Sequence, residues 1–283
     1  FVVTRMIGDP VKVMLPMEAT IEQRAAFEKQ LGLDRPIPIQ FLDFLADLTQ
    51  LDFGDSLWQH RPAMEIVFEK LPLTLILAFT GIGLAFIVSI PLGIITALRP
   101  GGVTDRVTVF FSLLGLSVPQ FWLGLLLIVI FAVNLRWLPT SGVSTPIHII
   151  LPALTLALPS LARMVMIIRS SMIDELNQHY VKTGLAKGLP FLRLVGVHAL
   201  RNASLPAITL FGWEIIRAVA GYSVIVETVF AWPGLGLTAI QAIEREDLIL
   251  LQAIVFTVAI TVVLINILMD MIYSIVDPRL KLE

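Results

Sequence analysis

The sequence has no cysteine among its 283 residues. That excludes disulfide frameworks, cysteine-ligated zinc, iron–sulfur clusters and thiol catalysis, and leaves the redox compartment unread. Charge is scarce as well: Asp, Glu, Lys and Arg make up 15% of the chain, against about a quarter in an ordinary globular protein. A net charge of −2 supplies no basic surface for nucleic acid. No G-x-x-x-x-G-K-[ST] phosphate loop occurs, so no nucleotide site is expected in this chain. His60, His148, His179 and His198 fall in separate regions without metal-ligand spacing, and no metal site is expected either. What the chain has in plenty is apolar sequence, 57% of its residues, giving a mean hydropathy of +0.87. A soluble enzyme domain is ruled out, and a membrane protein is indicated.

Crossing a hydrocarbon core of roughly 30 Å takes about 20 helical residues. Leu71–Leu98 and Val107–Leu135 carry no charged side chain. A third uncharged stretch, Trp137–Ala162, opens with the loop formers Pro139, Thr140, Ser141, Gly142 and Pro146, so its helix is expected from about His148 to Ile168. A fourth runs over Leu248–Met269 and continues past Asp270 to Val276. Pro206–Phe230 forms a fifth apolar stretch despite Glu214, Arg217 and Glu227. Pro91, Pro119, Pro152 and Pro159 fall inside these spans, which membrane helices tolerate where neighbours satisfy the freed carbonyls. Residues 1–7 are too short to cross and read as the end of a truncated first helix. They lack the ordered parts of a signal peptide. The expected architecture is all-α: a polytopic transmembrane helical bundle over residues 71–276, an external helical segment over 8–70 and a tail over 277–283.

Lys and Arg are retained on the cytoplasmic side of short connections. Arg99 and Arg106, then Arg163, Arg169, Lys182, Lys187, Arg193 and Arg201, then Arg279 and Lys281 fall on one side if every span crosses once. The opposing short loops hold only Arg136 and Arg245. The long segment Asp9–Lys70, with six basic and eleven acidic residues, then lies outside, and both ends of the complete chain are expected in the cytoplasm.

In that outer segment, Thr20 and Gln23 make a capping box for a helix to about Leu31, ended by Gly32. A second helix near Ile39–Leu51 aligns Phe41, Leu42, Phe44, Leu45 and Leu48 in one stripe. The stripe is read as core, with a lid or docking surface as the functional alternative. The central connection, residues 170–205, has too few apolar residues to cross and too many for a turn. Met172–Ala186 reads as helical, with Asp174 and Glu175 near its start where negative charge suits the dipole. Gly184, Gly188 and Pro190 break that pattern. Composition alone allows a solvated basic loop; a helix, a glycine bend and a second helix would instead make a compact knob.

Here the sequence resembles a known family. Tyr180-Val181-Lys182-Thr183-Gly184-Leu185-Ala186-Lys187-Gly188, followed by His198-Ala199-Leu200-Arg201-Asn202 and Pro206, is similar to the EAA loop of ATP-binding-cassette importer permeases, in the form found in the B-type subunit of the dipeptide/oligopeptide family. Gly8-Asp9-Pro10, Leu31-Gly32-Leu33-Asp34-Arg35-Pro36 and Asp52-Phe53-Gly54-Asp55-Ser56-Leu57 resemble the external segment after that family's first helix. Val226-Glu227-Thr228-Val229-Phe230-Ala231-Trp232-Pro233-Gly234-Leu235-Gly236 and Asp277-Pro278-Arg279 match as well. The resemblance covers Gly8 to Arg279.

It implies the type I importer permease fold, six helices of which the first is missing, a multi-pass place in the bacterial inner membrane, and import of dipeptides or oligopeptides. It further implies a C-type second permease, an extracytoplasmic solute-binding protein and two ATP-binding subunits, which carry ATP and magnesium, with no cofactor in this chain. The EAA element implies ATPase coupling through Thr183, Gly184, Ala186, Lys187 and Gly188, with Tyr180 and Leu189 as packing anchors. Departures from the pattern are Gly184 where the family has alanine, weakening that turn by about 1 kcal/mol, and Tyr222 where a second glycine is expected. An aromatic contact should replace close helix approach there.

Glu214 and Arg217 lie outside the family pattern. Spaced three apart, they share one face deep in a span, where each charge costs roughly 2.5–3.5 kcal/mol on insertion scales. They are expected to pair, and either line the solute path or tie the helix to the partner permease. Glu227 is placed near the outer interface, and Asp270 near Asn266 one turn earlier. Trp232, Pro233 and Gly234 read as a turn-rich outer loop, either a membrane anchor or an outer gate meeting the binding protein. Met164, Met166, Met172, Met269 and Met271 read as packing. Two other classes compete. An intramembrane serine protease needs a nucleophile beside a base, and Gly221-Tyr222-Ser223 is followed by Val224 with no histidine in its span. A secondary transporter often shows inverted repeats, and none is found. Within the importer reading, glutathione, nickel chelates and opines stay open as solutes.

Overall fold

The computed structural model describes Thr20, Lys29 and residues 34–276. The expected stub over residues 1–7, the tail over 277–283 and, apart from Thr20 and Lys29, the helix expected before Gly32 lie outside the described residues. Among the described residues there is no strand, only a bridge pairing Asp55 with Pro62. The helices are α1 (Ile37–Thr49), α2 (Ala63–Leu98), α3 (Val103–Ser117), α4 (Gln120–Asn134), α5 (Pro146–Leu176), α6 (His179–Ala186), α7 (residues 191–203), α8 (Leu205–Val229), α9 (Leu235–Glu244) and α10 (Leu248–Val276). Helices α2, α5, α8 and α10 are each long and apolar enough to cross a membrane.

Two spans differ from the sequence reading. The stretch Val107–Leu135 is a bent pair, α3 and α4, turned through 106°. Pro119 has no N–H to donate and pushes the residue before it out of helical geometry; Val118 is extended, with φ −85° and ψ 126°. Helix α2 begins at Ala63, eight residues before the expected start, and over 36 residues reaches about 54 Å at roughly 1.5 Å per residue. It therefore far exceeds the hydrocarbon thickness. Pro91 and Pro159 lie inside α2 and α5 without ending them.

The described residues divide into two compact units, those up to Leu73 with 233–260 and those from 74 to 232 with 261–276. In the first, Ala63, Ile66 and Val67 of α2 pack with Leu235 and Ala242 of α9 and Leu250, Ala253 and Ile254 of α10. Buried Asp247 joins this unit together. It caps α10 by accepting the Leu250 N–H at 3.0 Å, and its other oxygen accepts Ser56 Oγ at 2.5 Å and the Trp58 N–H at 3.2 Å. The stripe of α1 is not core, because no residue of that helix is buried. Phe41, Leu42 and Leu45 are exposed, while Phe44 meets Phe53 edge-on at 6.1 Å.

In the second unit the packing tightens where glycine admits a neighbour. A Cβ on Gly93 of α2 would stand 2.7 Å from Ile168 Cβ of α5. One on Gly212 of α8 would stand 2.7 Å from Met269 Cε of α10. At the end that carries α6 and α7, Ala97, Ile168, Met172, Val195, Ala199, Ala203 and Ala207 form a buried cluster, with Phe86, Ile90 and Ile94 packed against it.

Candidate functional site

The central connection is a helical knob, but its parts differ from the expectation. Met172–Leu176 completes α5, so Asp174 and Glu175 sit at a helix C-terminus rather than at an N-terminus. The break comes at Asn177 and Gln178, and α6 follows. Gly188 then takes φ +79°, a left-handed conformation that suits glycine, and Pro190 opens α7. Gly184 does not break the helix. It is buried in α6, and a Cβ there would lie 2.6 Å from Leu194 Cδ2 and 3.5 Å from Leu189 Cδ1. Glycine lets α7 approach α6 closely.

The knob therefore has two faces. Val181, Gly184, Leu194, Val195, Ala199 and Ala203 are buried. Thr183, Leu185, Ala186, Lys187 and Gly188 are exposed, as are Phe191 and Leu192, the latter 82% exposed. Leu189 is half-buried. Tyr180 is exposed and held through its hydroxyl, which donates to Glu175 at 2.5 Å; Asn202 of α7 reaches the same carboxylate at 3.3 Å. Partial burial, then the Glu175 carboxylate, push the Tyr180 hydroxyl up to about 12. It thus remains a donor through neutral pH. Sequence reading missed the anchors Val181 and Leu194 and the exposed pair Phe191 and Leu192, although alternating burial across a short amphipathic helix is the signal that finds them.

Inside the spans, Glu214 is fully buried and its main partner is not Arg217. Arg163 of α5 grips it in a fork, Nε to Oε1 and Nη2 to Oε2, both at 2.7 Å, and Ser160 Oγ donates at 2.8 Å. Arg217 approaches only to 3.7 Å and its side chain stays 48% exposed. Arg163 lies within α5, inside the helix expected to reach Ile168, and Arg169, counted with the central loop, lies in α5 too and forks onto buried Asp105 with Nη2 at 2.8 Å. The planar guanidinium suits such bidentate pairing, and neither arginine counts toward loop charge.

Toward the opposite end of α8, Glu227 is buried rather than interfacial and accepts Thr74 Oγ1 at 2.7 Å. Trp232 is also buried, so it is not a membrane anchor; its N–H donates to the Glu227 carbonyl at 2.9 Å. Trp232, Pro233 and Gly234 form the expected loop, and Gly234 is the N-cap of α9, an amphipathic helix that follows it. Pro233 lines a cavity of about 470 Å³ in its unit with Trp58, Gln59, Lys70, Leu237, Thr238 and Gln241. Arg245 stacks over Trp58, 5.6 Å from the ring centre.

Tyr222 is exposed and Gly221 has open space beside it, so no close helix approach occurs at that position among the described residues. The Ser223 hydroxyl is buried without a hydrogen-bond partner, which gives no base to activate a nucleophile. Asn266 donates to the Val262 carbonyl at 3.1 Å instead of to Asp270, which is exposed. Met164, Met172 and Met269 are buried in packing, and Met271 is exposed.

Comparison with known proteins accounts for this arrangement. Residues 89–282 match the family described as the binding-protein-dependent transport system inner membrane component. The chain is 39% identical to the oligopeptide transport system permease protein AppB of Bacillus subtilis, covering 97% of this chain and 90% of that protein. It is 37% identical to the glutathione transport system permease protein GsiC of Pectobacterium atrosepticum, over 97% and 89% of the two chains. It is 36% identical to the di/tripeptide transport system permease protein DppB of Pseudomonas aeruginosa, over 99% and 92%. In fold it is similar to a chain of the MetNI methionine ABC transporter in an inward-facing conformation, with a TM-score of 0.62 at 21% identity over 76% of this chain and 97% of that one. The bent and straight spans, the knob beneath them and these relatives lead to one conclusion: the chain belongs to the binding-protein-dependent inner-membrane component family and is a multi-pass permease subunit of an ATP-binding-cassette importer.

Proposed function

We propose that this permease forms half of a path for dipeptides or oligopeptides and is driven through its α6–α7 knob. The observation that carries this reading is the knob's division into a buried root and an exposed, partly apolar crown ending in Leu192. A crown of this kind suits a groove in an ATPase, and its root packs against α5 and α2, so displacement of the knob passes to the spans as rigid-body motion. Thr183, Ala186, Lys187, Gly188 and Leu189 meet the ATPase in this reading; Gly184 and Tyr180 hold the knob's shape.

ATP and magnesium bind two partner subunits, which perform the hydrolysis. A C-type permease completes the path, and both termini of the full chain lie in the cytoplasm. Glu214, Arg217 and Tyr222 belong to the path side of α8, with Glu214 acting through Arg163. On the outer face an extracytoplasmic binding protein meets the cavity beside Pro233. Glu227, Trp232 and Gly234, the candidate outer-gate residues, are buried and so do not themselves touch that protein. Peptides are favoured as solutes because relatives of near-equal identity are named for oligopeptides and for di/tripeptides.

The test is ATP-driven uptake in proteoliposomes holding both permeases, both ATPases and the binding protein. Gly188→Leu should leave insertion and assembly intact, lower uptake about tenfold or more, and leave ATP hydrolysis unresponsive to loaded binding protein, because a side chain at φ +79° is strained. Unchanged uptake and stimulation would refute the docking assignment.

A further inference from the structure

We infer that Arg217 binds the carboxylate of the transported solute, making it a specificity-determining residue midway across the membrane. Its position comes first. Arg217 is twelve residues from each end of α8, about 18 Å from either at roughly 1.5 Å per residue. A cation at that depth faces protein or a water-filled cavity rather than lipid, and such residues mark solute routes.

Its pairing comes next. Among the described residues the one carboxylate paired with it, Glu214, is 3.7 Å away and already spent on the Arg163 fork and Ser160. The cluster of Arg163, Arg217 and Glu214 thus carries one surplus positive charge, and the half-exposed guanidinium that carries it has most of its donors free for an incoming anion. Burying Glu214 against Arg163 holds the field in place while Arg217 stays available.

The surroundings of Arg217 also distinguish a path from a lipid face. Thr209, Trp213 and Arg217 are exposed at successive turns of α8. The chain then passes through a π-turn, Ala218–Tyr222, whose i to i+5 spacing brings exposed Tyr222 beneath Arg217. The face reads hydroxyl, indole, guanidinium, phenol. The exposed surface of α10 in the same unit is mostly aliphatic and thioether, at Val263, Leu264, Ile267, Leu268 and Met271, as lipid requires, with Asn266 and Asp270 its exposed polar residues. A guanidinium between two aromatic side chains suits a carboxylate attached to an amino-acid residue, by bidentate charge-assisted hydrogen bonds.

This inference rests on the proposed transport reading, and the test separates the two. The assembled transmembrane complex, without binding protein, is titrated with trialanine and with trialanine amide by saturation-transfer NMR. Wild type should bind the free acid at least about tenfold more tightly than the amide, a ratio of the size a charge-assisted hydrogen bond supplies. Arg217→Gln should bring the two probes level, and Arg217→Lys should keep part of the preference. Equal binding of acid and amide by wild type would overturn the inference, whatever the variants do. So would loss of the second permease from the Arg217→Gln complex with assembly restored by Arg217→Lys, because the guanidinium would then be neutralising a partner carboxylate. ATP-driven uptake of the same probes is measured in parallel. Absence of uptake in wild type refutes the transport reading, while uptake with no acid preference in binding refutes the role of Arg217 alone.

Discussion

Helix α1 and the α6–α7 knob both present leucines and phenylalanines to their surroundings, yet they are rooted differently. No residue of α1 is buried. The knob shows Leu192 and Phe191 outward but sinks Val195, Ala199 and Ala203 among Ala97, Ile168 and Met172 of the spans. A force applied to the knob therefore has packed side chains to travel through, because close-packed interiors transmit strain. The same force on α1 has few. An exposed apolar face becomes a lever only when the opposite face is locked to what must move.

Ways to break this contrast begin at the root. Ala199→Leu should destabilise the second unit by about 1–3 kcal/mol through overpacking, read as a lower unfolding temperature of the purified permease. Gly93→Ala should fall in the same range, because the methyl would meet Ile168 Cβ at 2.7 Å and β-branched side chains yield little. At the crown, Leu192→Asp should change stability by less than about 0.5 kcal/mol, as surface substitutions do. It should nevertheless lower recovery of the ATPases in a pull-down about tenfold. Gly184→Ala should stay within about 1 kcal/mol of wild type, since better helix propensity opposes a contact that the far end of Leu194 can relieve. The smallest effect is expected for Leu42→Ser on α1. It should stay within about 0.5 kcal/mol in stability and leave ATPase recovery unchanged; a drop like that of Leu192→Asp would erase the contrast.

Apolar run length made most of the spans legible, because hydrocarbon thickness sets a length that uncharged stretches record directly. The bend at Pro119 was also present in the sequence as a proline within an uncharged run, but composition does not separate a tolerated proline such as Pro159 from one that turns the chain. Local pattern offered the knob with its glycine bend beside a solvated basic loop, and the family resemblance decided between them. Local pattern misjudged Asp174 and Glu175 because α5 continues past the apolar stretch that defined it. The charge pairs were the least legible. Glu214 was matched with its neighbour Arg217, whereas its fork comes from Arg163, 51 residues away in sequence, and spacing along one helix carries no information about a partner on another. Asp247 was overlooked although its place directly before an apolar run is an N-cap signal.

The absence of native cysteine makes one experiment decisive. In a Leu192→Cys permease the one thiol among these 283 residues can carry a maleimide-linked benzophenone, attached before assembly, and irradiation of the assembled complex reports what stands next to the knob. A crosslink to the ATP-binding subunit, present with and without nucleotide, is the result that docking requires. Irradiation products with lipid or water alone in every nucleotide state would contradict it.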